Sequence, residues 1–369
     1  MEWFYWLEII FVVCSFFLVM YYLFFWRKLA RYKSENHSFS NFPFVSIVIC
    51  AKNEEQNLSR FVSQILDQEY PSFEVIVVND NSSDGSMTVL NNLKVEYDNL
   101  RVYSFSQNKK CHGKKEVLEY GIRKAKSEYL VLTDADCRPN SKQWLSGMVN
   151  GFSDGSEIVL GVGQYEKKES IINTFIQMDT GFIAMNYLSY ALANFPYMSV
   201  GRNVAYKKEL FFKVGGFKSH YDIASGDDDL FINEISMDTK VTIVFSNDAQ
   251  TTSVPKENFK SFFRQKVRHV SAGLRYNKRN SILLSFFYSL SVFWYLLLPF
   301  VVSHSNHLLV ISTIIVLKKL TMYSLIRRIF IKIDVSVKKT MVLLTEFYSV
   351  FIHSFAVLVT IFKSKKVKW

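Results

Sequence analysis

Cysteine is scarce in this chain: its 369 residues hold four, Cys14, Cys50, Cys111 and Cys137. They show neither Cys-x-x-Cys spacing nor the pattern of a secreted domain. That excludes a disulfide framework and leaves them as buried small hydrophobes in a reducing cytosol. Nucleic-acid-binding motifs are also missing, although the net charge is +11. Much of the basic excess lies beside apolar segments or between Lys256 and Arg279, where cations facing anionic lipid account for it without nucleic acid as a partner. The first apolar run, Trp3 to Trp26, has no basic stretch in front of it and no small-residue cleavage site, which excludes a removed signal peptide. With only Glu2 and Glu8 near its start, it is long enough to cross a bilayer that needs about 20 residues. Arg27, Lys28, Arg31 and Lys33 follow at once, so the positive-inside rule puts the amino terminus outside and the next domain in the cytosol.

The chain has room for one soluble domain of about 200 to 250 residues beside its membrane segments. Phe44 to Cys50 is a β-branched run of the kind buried on both faces of a sheet, followed by the polar loop Ala51 to Asn57. Leu58 to Leu66 has helical spacing, with Leu58, Phe61, Val62 and Ile65 on one side. Phe73 to Val78 predicts a second buried strand ending in Asn79 and Asp80, Leu100 to Phe105 a third, and Gly113 to Lys126 a helix. Strand, polar loop and helix in repetition is the grammar of a parallel sheet whose loops gather at one edge. Tyr129 to Leu132 adds a strand that runs into Asp134 and Asp136. Residues two apart in extended backbone point the same way, so these carboxylates converge, and Mg²⁺ or Mn²⁺ shared with substrate phosphates is the common way to relieve their repulsion. Aspartate is also a good turn residue, and the tripeptide by itself is equally a solvated turn.

Three stretches together, VSIVICAKNEEQNL, VIVVNDNSSDGS and GKKEVLEYGIRKAKSEYLVLTDADC, resemble the nucleotide-sugar half of family 2 glycosyltransferases, inverting enzymes of the GT-A fold. The resemblance covers roughly residues 43 to 275. It implies an α/β GT-A domain in which Glu54 and Asp80 hold uridine, Lys114 lies near the diphosphate, and Asp134 and Asp136 bind the metal and diphosphate, with Asp136 the stronger ligand. The plainer readings are that Asp80 and Asp84 only form turns and that Lys114 is a solvated lysine at a helix start.

Beyond the paired aspartates, Trp144 to Phe152 reads as a helix and Glu157 to Gln164 as one further strand. Ile171 to Ala193 is long, apolar and aromatic, but Asp179 and Asn186 interrupt it, which favours a packed or interface-lying helix over a membrane crossing. Ser225 to Leu230, SGDDDL, resembles the family segment that supplies the catalytic base. Counting back three from Leu230 selects Asp227, and a Gly-Asp-Asp alignment permits Asp228. Gly226 stands where many relatives have an acid. Phe259 to His269 is a basic amphipathic helix suited to a membrane surface. It contains Gln265, Arg268 and His269 in a pattern that resembles the Gln-x-x-Arg-Trp motif of polysaccharide synthases and ceramide glucosyltransferases. The resemblance implies that Arg268 contacts the diphosphate and that His269 replaces the aromatic acceptor platform.

The expected organisation is a membrane anchor at residues 1–27, a cytosolic GT-A domain at 43–255, an interface helix at 256–279, a membrane region at 280–362 and a basic tail at 363–369. Ile282 to Ser303 and Met341 to Phe362 are long enough to span. Between them, Lys318 and Lys319 break the apolar stretch, and the lysines after Phe362 argue for one re-entrant or interfacial segment among the last two. The expected protein is an integral membrane enzyme, in a bacterial inner membrane or its equivalent, that moves a sugar from a UDP-sugar to a lipid or short glycan with a divalent metal. A processive polysaccharide synthase and a non-catalytic binding module are the alternatives.

Overall fold

A computed structural model of the chain describes residues 2–33, 38–106, 113–223 and 225–362. Cys111 and the tail lysines Lys363, Lys365, Lys366 and Lys368 lie outside the described residues. The chain opens on helix α1 (Glu2–Tyr21), a π-helical turn (Tyr22–Trp26) and α2 (Arg27–Arg31). The α/β domain follows as β1 (Val45–Ala51), α3 (Glu55–Leu66), β2 (Phe73–Asn79), α4 (Ser86–Glu96), β3 (Leu100–Ser104), α5 (Lys114–Lys124) and β4 (Tyr129–Leu132). These strands pair in parallel in the order β3-β2-β1-β4, and the side chains of β1, β2 and β4 are buried on both faces, as β-branched runs require, while the edge strand β3 is buried only at Leu100.

The second half completes the domain with β5 (Cys137–Pro139), α6 (Trp144–Asn150), β6 (Ile158–Leu160), β7 (Gly163–Tyr165), α7 (Ile171–Leu192), β8 (Val204–Lys207), α8 (Lys208–Lys213), α9 (Asp229–Ile235), β9 (Val241–Ile243) and β10 (Thr251–Ser253). Strand β8 runs antiparallel to both β4 and β6, and β9 closes the seven-stranded sheet. A small sheet, β5-β10-β7, seats the chain just after Asp136. The single strand expected over Glu157 to Gln164 is therefore two strands in two sheets. The chain crosses between them at Gly161, where a Cβ would lie 2.5 Å from the Asn203 side chain. Only glycine permits that close approach.

Helix α7 is a packed layer between the sheet and the apolar helices. Tyr187 donates to the Gly161 carbonyl at 2.6 Å on one side, while Trp26 donates to Asn186 at 3.0 Å on the other. Asp179, which argued against a membrane crossing, is wholly buried and pairs with Lys266 on α10 (Phe259–Gly273).

Helices α11 (Lys278–His304), α12 (Leu308–Lys332) and α13 (Lys339–Phe362) join α1 in a bundle. Among the described residues, four helices, the first running from Phe4 to Arg31, are long and apolar enough to cross a membrane. The expected break at Lys318 and Lys319 does not occur: α12 runs through both. Lys318 lies 2.8 Å from Glu346 of α13, both side chains are fully buried, and the Trp294 ring sits 4.0 Å from the ammonium. Tyr22 and Tyr295 also donate to Glu346. A charge that would be costly alone is tolerated because the partner helix supplies its counter-ion and hydrogen bonds.

Candidate active site

Parallel pairing carries the ends of β1, β2 and β4 to one rim, since Ala51 lies opposite Asn79 and Val48 opposite Leu132. Asp80 is almost fully buried there and accepts from Lys52 at 2.9 Å. Glu54 sits at the start of α3, where burial pushes its carboxyl up despite a 2.6 Å hydrogen bond from Asn57. Asp84 accepts from the backbone N–H groups of Ser86 and Glu55 and so holds the turn before α4, as the plainer turn reading has it.

Asp134 and Asp136 converge below β4: their carboxylate oxygens and the Cys137 Sγ lie within 4.8 Å of one another. Burial and the charge of Asp134 push Asp136 up, while Arg202 opposes them. The Arg202 guanidinium is 4.2 Å from the Tyr165 ring centroid and donates to the Gln164 carbonyl and Ser253. Lys114, the first residue of α5, is not a solvated helix-start lysine. Its Nζ lies 2.7 Å from Asp134 and 2.7 Å from Asp227. Burial works against its charge, yet the two carboxylates hold it well above the usual lysine range.

The acidic triplet has three different environments. Asp227 is largely shielded from solvent, which raises its carboxyl, but its ion pair with Lys114 keeps it below the ordinary range. Asp228 accepts from the Gly201 N–H at 2.7 Å and the Asp229 N–H at 2.8 Å, and burial together with the charge of Asp227 pushes it up to about 6. Asp229 lies under Tyr276, whose hydroxyl donates to it at 3.1 Å, and burial and Asp228 push it far up. Gly226 has a φ of 101°, and a Cβ there would meet Leu230 at 2.6 Å. A side chain at 226 would be strained by both the backbone angle and this contact, which favours glycine there.

On α10, Gln265 donates to the Tyr165 hydroxyl at 3.1 Å, and the buried Nε of Arg268 has no hydrogen-bond partner among the described residues. One cavity of about 1410 Å³ is lined by Glu54, Asp80, Lys114, Asp134 and Asp136, by Asp227 and Asp228, and by Gln265, Arg268 and His269. The candidate donor, metal, base and acceptor residues expected from the sequence thus line one cavity. Sequence reasoning passed over Lys52, which stands inside a motif it quoted, and over Arg202 and Tyr276.

Residues 46–218 match the family model Glycosyl transferase family 2. The chain carries a family 2 glycosyltransferase domain. Glycosyltransferase AglE of Haloferax volcanii is 28% identical over 217 residues, 57% of this chain and 66% of that protein. The probable glycosyltransferase YdaM of Bacillus subtilis is 24% identical over 315 residues, covering 79% of this chain and 71% of the relative. Among solved structures, the mannosyltransferase PcManGT from Pyrobaculum calidifontis, in complex with GDP-Man and Mn²⁺, superposes with a TM-score of 0.64 at 17% identity over 97% of this chain and 100% of that one. That likeness establishes the GT-A fold of this glycosyltransferase, with apolar helices at both ends. In chemical terms its cavity offers a carboxylate pair suited to a hard cation, a lysine between two acidic groups, and a separate acidic cluster.

Proposed function

We propose that this glycosyltransferase moves a sugar, with inversion, from a UDP-sugar to a hydroxyl of a membrane-associated lipid or short glycan. The observation that carries the reading is Lys114, equidistant at 2.7 Å from Asp134 on the donor side and Asp227 on the acceptor side. Glu54 and Asp80 take the uridine, while Lys114 and Arg268 take the diphosphate. Gln265 and His269 border the acceptor. Asp134 and Asp136 fit a hard divalent cation, Mg²⁺ or Mn²⁺, because they are convergent oxygens under mutual repulsion; the soft Cys137 sulfur is a poor ligand for it. When bound, such a cation neutralises the leaving diphosphate.

Asp227 is the proposed base. Geometry precedes acidity here: both oxygens of Asp228 are occupied by backbone donors that cap α9 and hold Gly201. The partner of Asp227 is the lysine that a diphosphate would draw away. The acceptor oxygen attacks the anomeric carbon, the bond to the UDP oxygen breaks with its electron pair, and the hydroxyl proton passes to Asp227. The catalytic domain is proposed to face the cytosol, bordered by the basic helix α10, in a bacterial inner membrane or its equivalent. The solved neighbour carries GDP-Man, so a donor panel needs both UDP- and GDP-sugars. In detergent-solubilised protein, Asp227→Asn should abolish transfer while nucleotide binding persists, and Asp136→Ala or chelation should abolish both nucleotide release and transfer. Release that survives chelation and Asp136→Ala would overturn the metal assignment. Loss of transfer in Asp228→Asn with Asp227→Asn active would move the base by one residue.

A further inference from the structure

The cavity does not end at the carboxylates. It continues past Asp227 and Asp228 into a slot lined by Ser285, Ser289 and Phe293 of α11 and by Ser354, Val357 and Leu358 of α13. Phe293 is 58% and Leu358 51% exposed, so the slot reaches the outer surface of two helices long and apolar enough to span a membrane. Phe293 lies fifteen residues along α11 from Lys278, which at 1.5 Å per residue is about 22 Å, well into a hydrocarbon core about 30 Å thick. At about 1410 Å³ the cavity exceeds the range of roughly 300 to 1,000 Å³ that serves small ligands. A water-soluble sugar acceptor has no use for such a slot; an alkyl chain does.

The charges identify the head. Lys52, Lys114 and Lys266 each pair with a carboxylate. Lys256, Arg264 and Arg268 line the same cavity and have no carboxylate within ion-pair distance among the described residues. Even with Arg268 turned to the donor diphosphate, two cations remain for a second anion, and Arg264 stands on the same helix as Phe263, which packs on Phe355 of α13. An acidic base such as Asp227 serves a hydroxyl and not an already ionised phosphate.

We propose that the acceptor is an anionic lipid admitted sideways from the bilayer between α11 and α13. Its chain lies in the Ser289 and Leu358 slot, a phosphate faces Arg264, and a hydroxyl-bearing head beyond the phosphate reaches Asp227. The hydroxyl part rests on the function proposed above; the slot and the phosphate preference do not.

The test uses the full chain in phosphatidylcholine nanodiscs doped with phosphatidylglycerol, phosphatidic acid or diacylglycerol, with retained lipid read by native mass spectrometry and donor affinity by calorimetry. Phosphatidylglycerol and phosphatidic acid should be retained at least about tenfold more than diacylglycerol, the scale of one charge-assisted contact. Ser289→Trp should lose that retained lipid about tenfold, as should Ser285→Phe, with donor affinity moving less than about twofold. If a bulky variant fails to bind donor, Arg264→Gln carries the test by abolishing the preference for phosphate over diacylglycerol. Diacylglycerol retained as well as phosphatidylglycerol overturns the anionic head, and unchanged retention in Ser289→Trp overturns the slot. Failure of the wild type to bind any nucleotide sugar sinks the donor chemistry and leaves the lipid result standing on its own. With an active donor, label in a phosphatidylglycerol product but not with phosphatidic acid supports the hydroxyl-bearing head; label with phosphatidic acid overturns it.

Discussion

Lys114→Met tests the centre of the site most directly. The substitution keeps an unbranched side chain of similar length and removes the ammonium that lies 2.7 Å from both Asp134 and Asp227. Hydrogen bonds to charged groups contribute about 1.5–3 kcal/mol each, and every 1.4 kcal/mol is about tenfold. If Lys114 exchanges one of its carboxylates for the donor diphosphate, its loss should weaken nucleotide binding by about ten- to a hundredfold. Transfer should fall further than binding, because the cavity then holds Asp134 and Asp227 without their shared cation, and a dianionic donor must approach them. A stability effect accompanies this. Asp227 is held below its ordinary range by Lys114, so its contribution to stability is present above the unfolded carboxyl range and is lost as pH falls through the folded value. In Lys114→Met that acid-side loss should shrink, since the carboxyl no longer has the ion pair to lose. The assay is calorimetric UDP binding, transfer with saturating metal, and thermal unfolding from about pH 3 to about pH 7. Unchanged nucleotide affinity with unchanged transfer would refute the bridging role. Lost transfer with intact affinity would restrict Lys114 to the acceptor side.

Three further outcomes follow from other parts of the molecule. Gly226→Ala places a Cβ at a φ of 101° against Leu230; strain of about 1–3 kcal/mol should displace the acidic triplet and lower transfer without touching nucleotide affinity, measured by kinetics and unfolding together. Lys318→Met strands Glu346, wholly buried in the helix bundle, and should cost about 3–5 kcal/mol in detergent unfolding, whereas Lys318→Met with Glu346→Leu should recover most of it. Recovery failing in the double variant would mean that the pair does more than neutralise itself. For Asp228, burial raises the folded carboxyl from 3.8 to about 6. Its favourable contribution is therefore present below the unfolded value and lost as pH rises through about 6. Going from about pH 4 to about pH 7.5, Asp228→Asn should gain on the wild type by up to about 3 kcal/mol, read from paired melts.

Legibility in the sequence followed the range of the interaction. The β-branched runs Val45–Ala51 and Phe73–Asn79 could be read as strands of a parallel sheet because burial on both faces is written into every position. The rim residue Asp80 followed from the second of these strands, and Asp134 and Asp136 from the strand Tyr129–Leu132. The strand break at Gly161 could not be read, because what forces it is Asn203, forty-two residues away. The continuity of α12 was likewise hidden, since a lysine inside an apolar stretch looks prohibitive until Glu346 is placed beside it.

By itself, then, the sequence determined the α/β class, the apolar character of both ends and the identity of the charged residues that form the site. Periodicity and strand-end placement are local properties, carried by neighbours along the chain. The tertiary structure alone decided which of those charges face each other. Lys114 sits between Asp134 and Asp227, Asp228 is tied to Gly201, and the cavity runs on between α11 and α13. Electrostatic pairing depends on distance in space, and distances between α5, β4 and the start of α9 exist only once the sheet has brought them together.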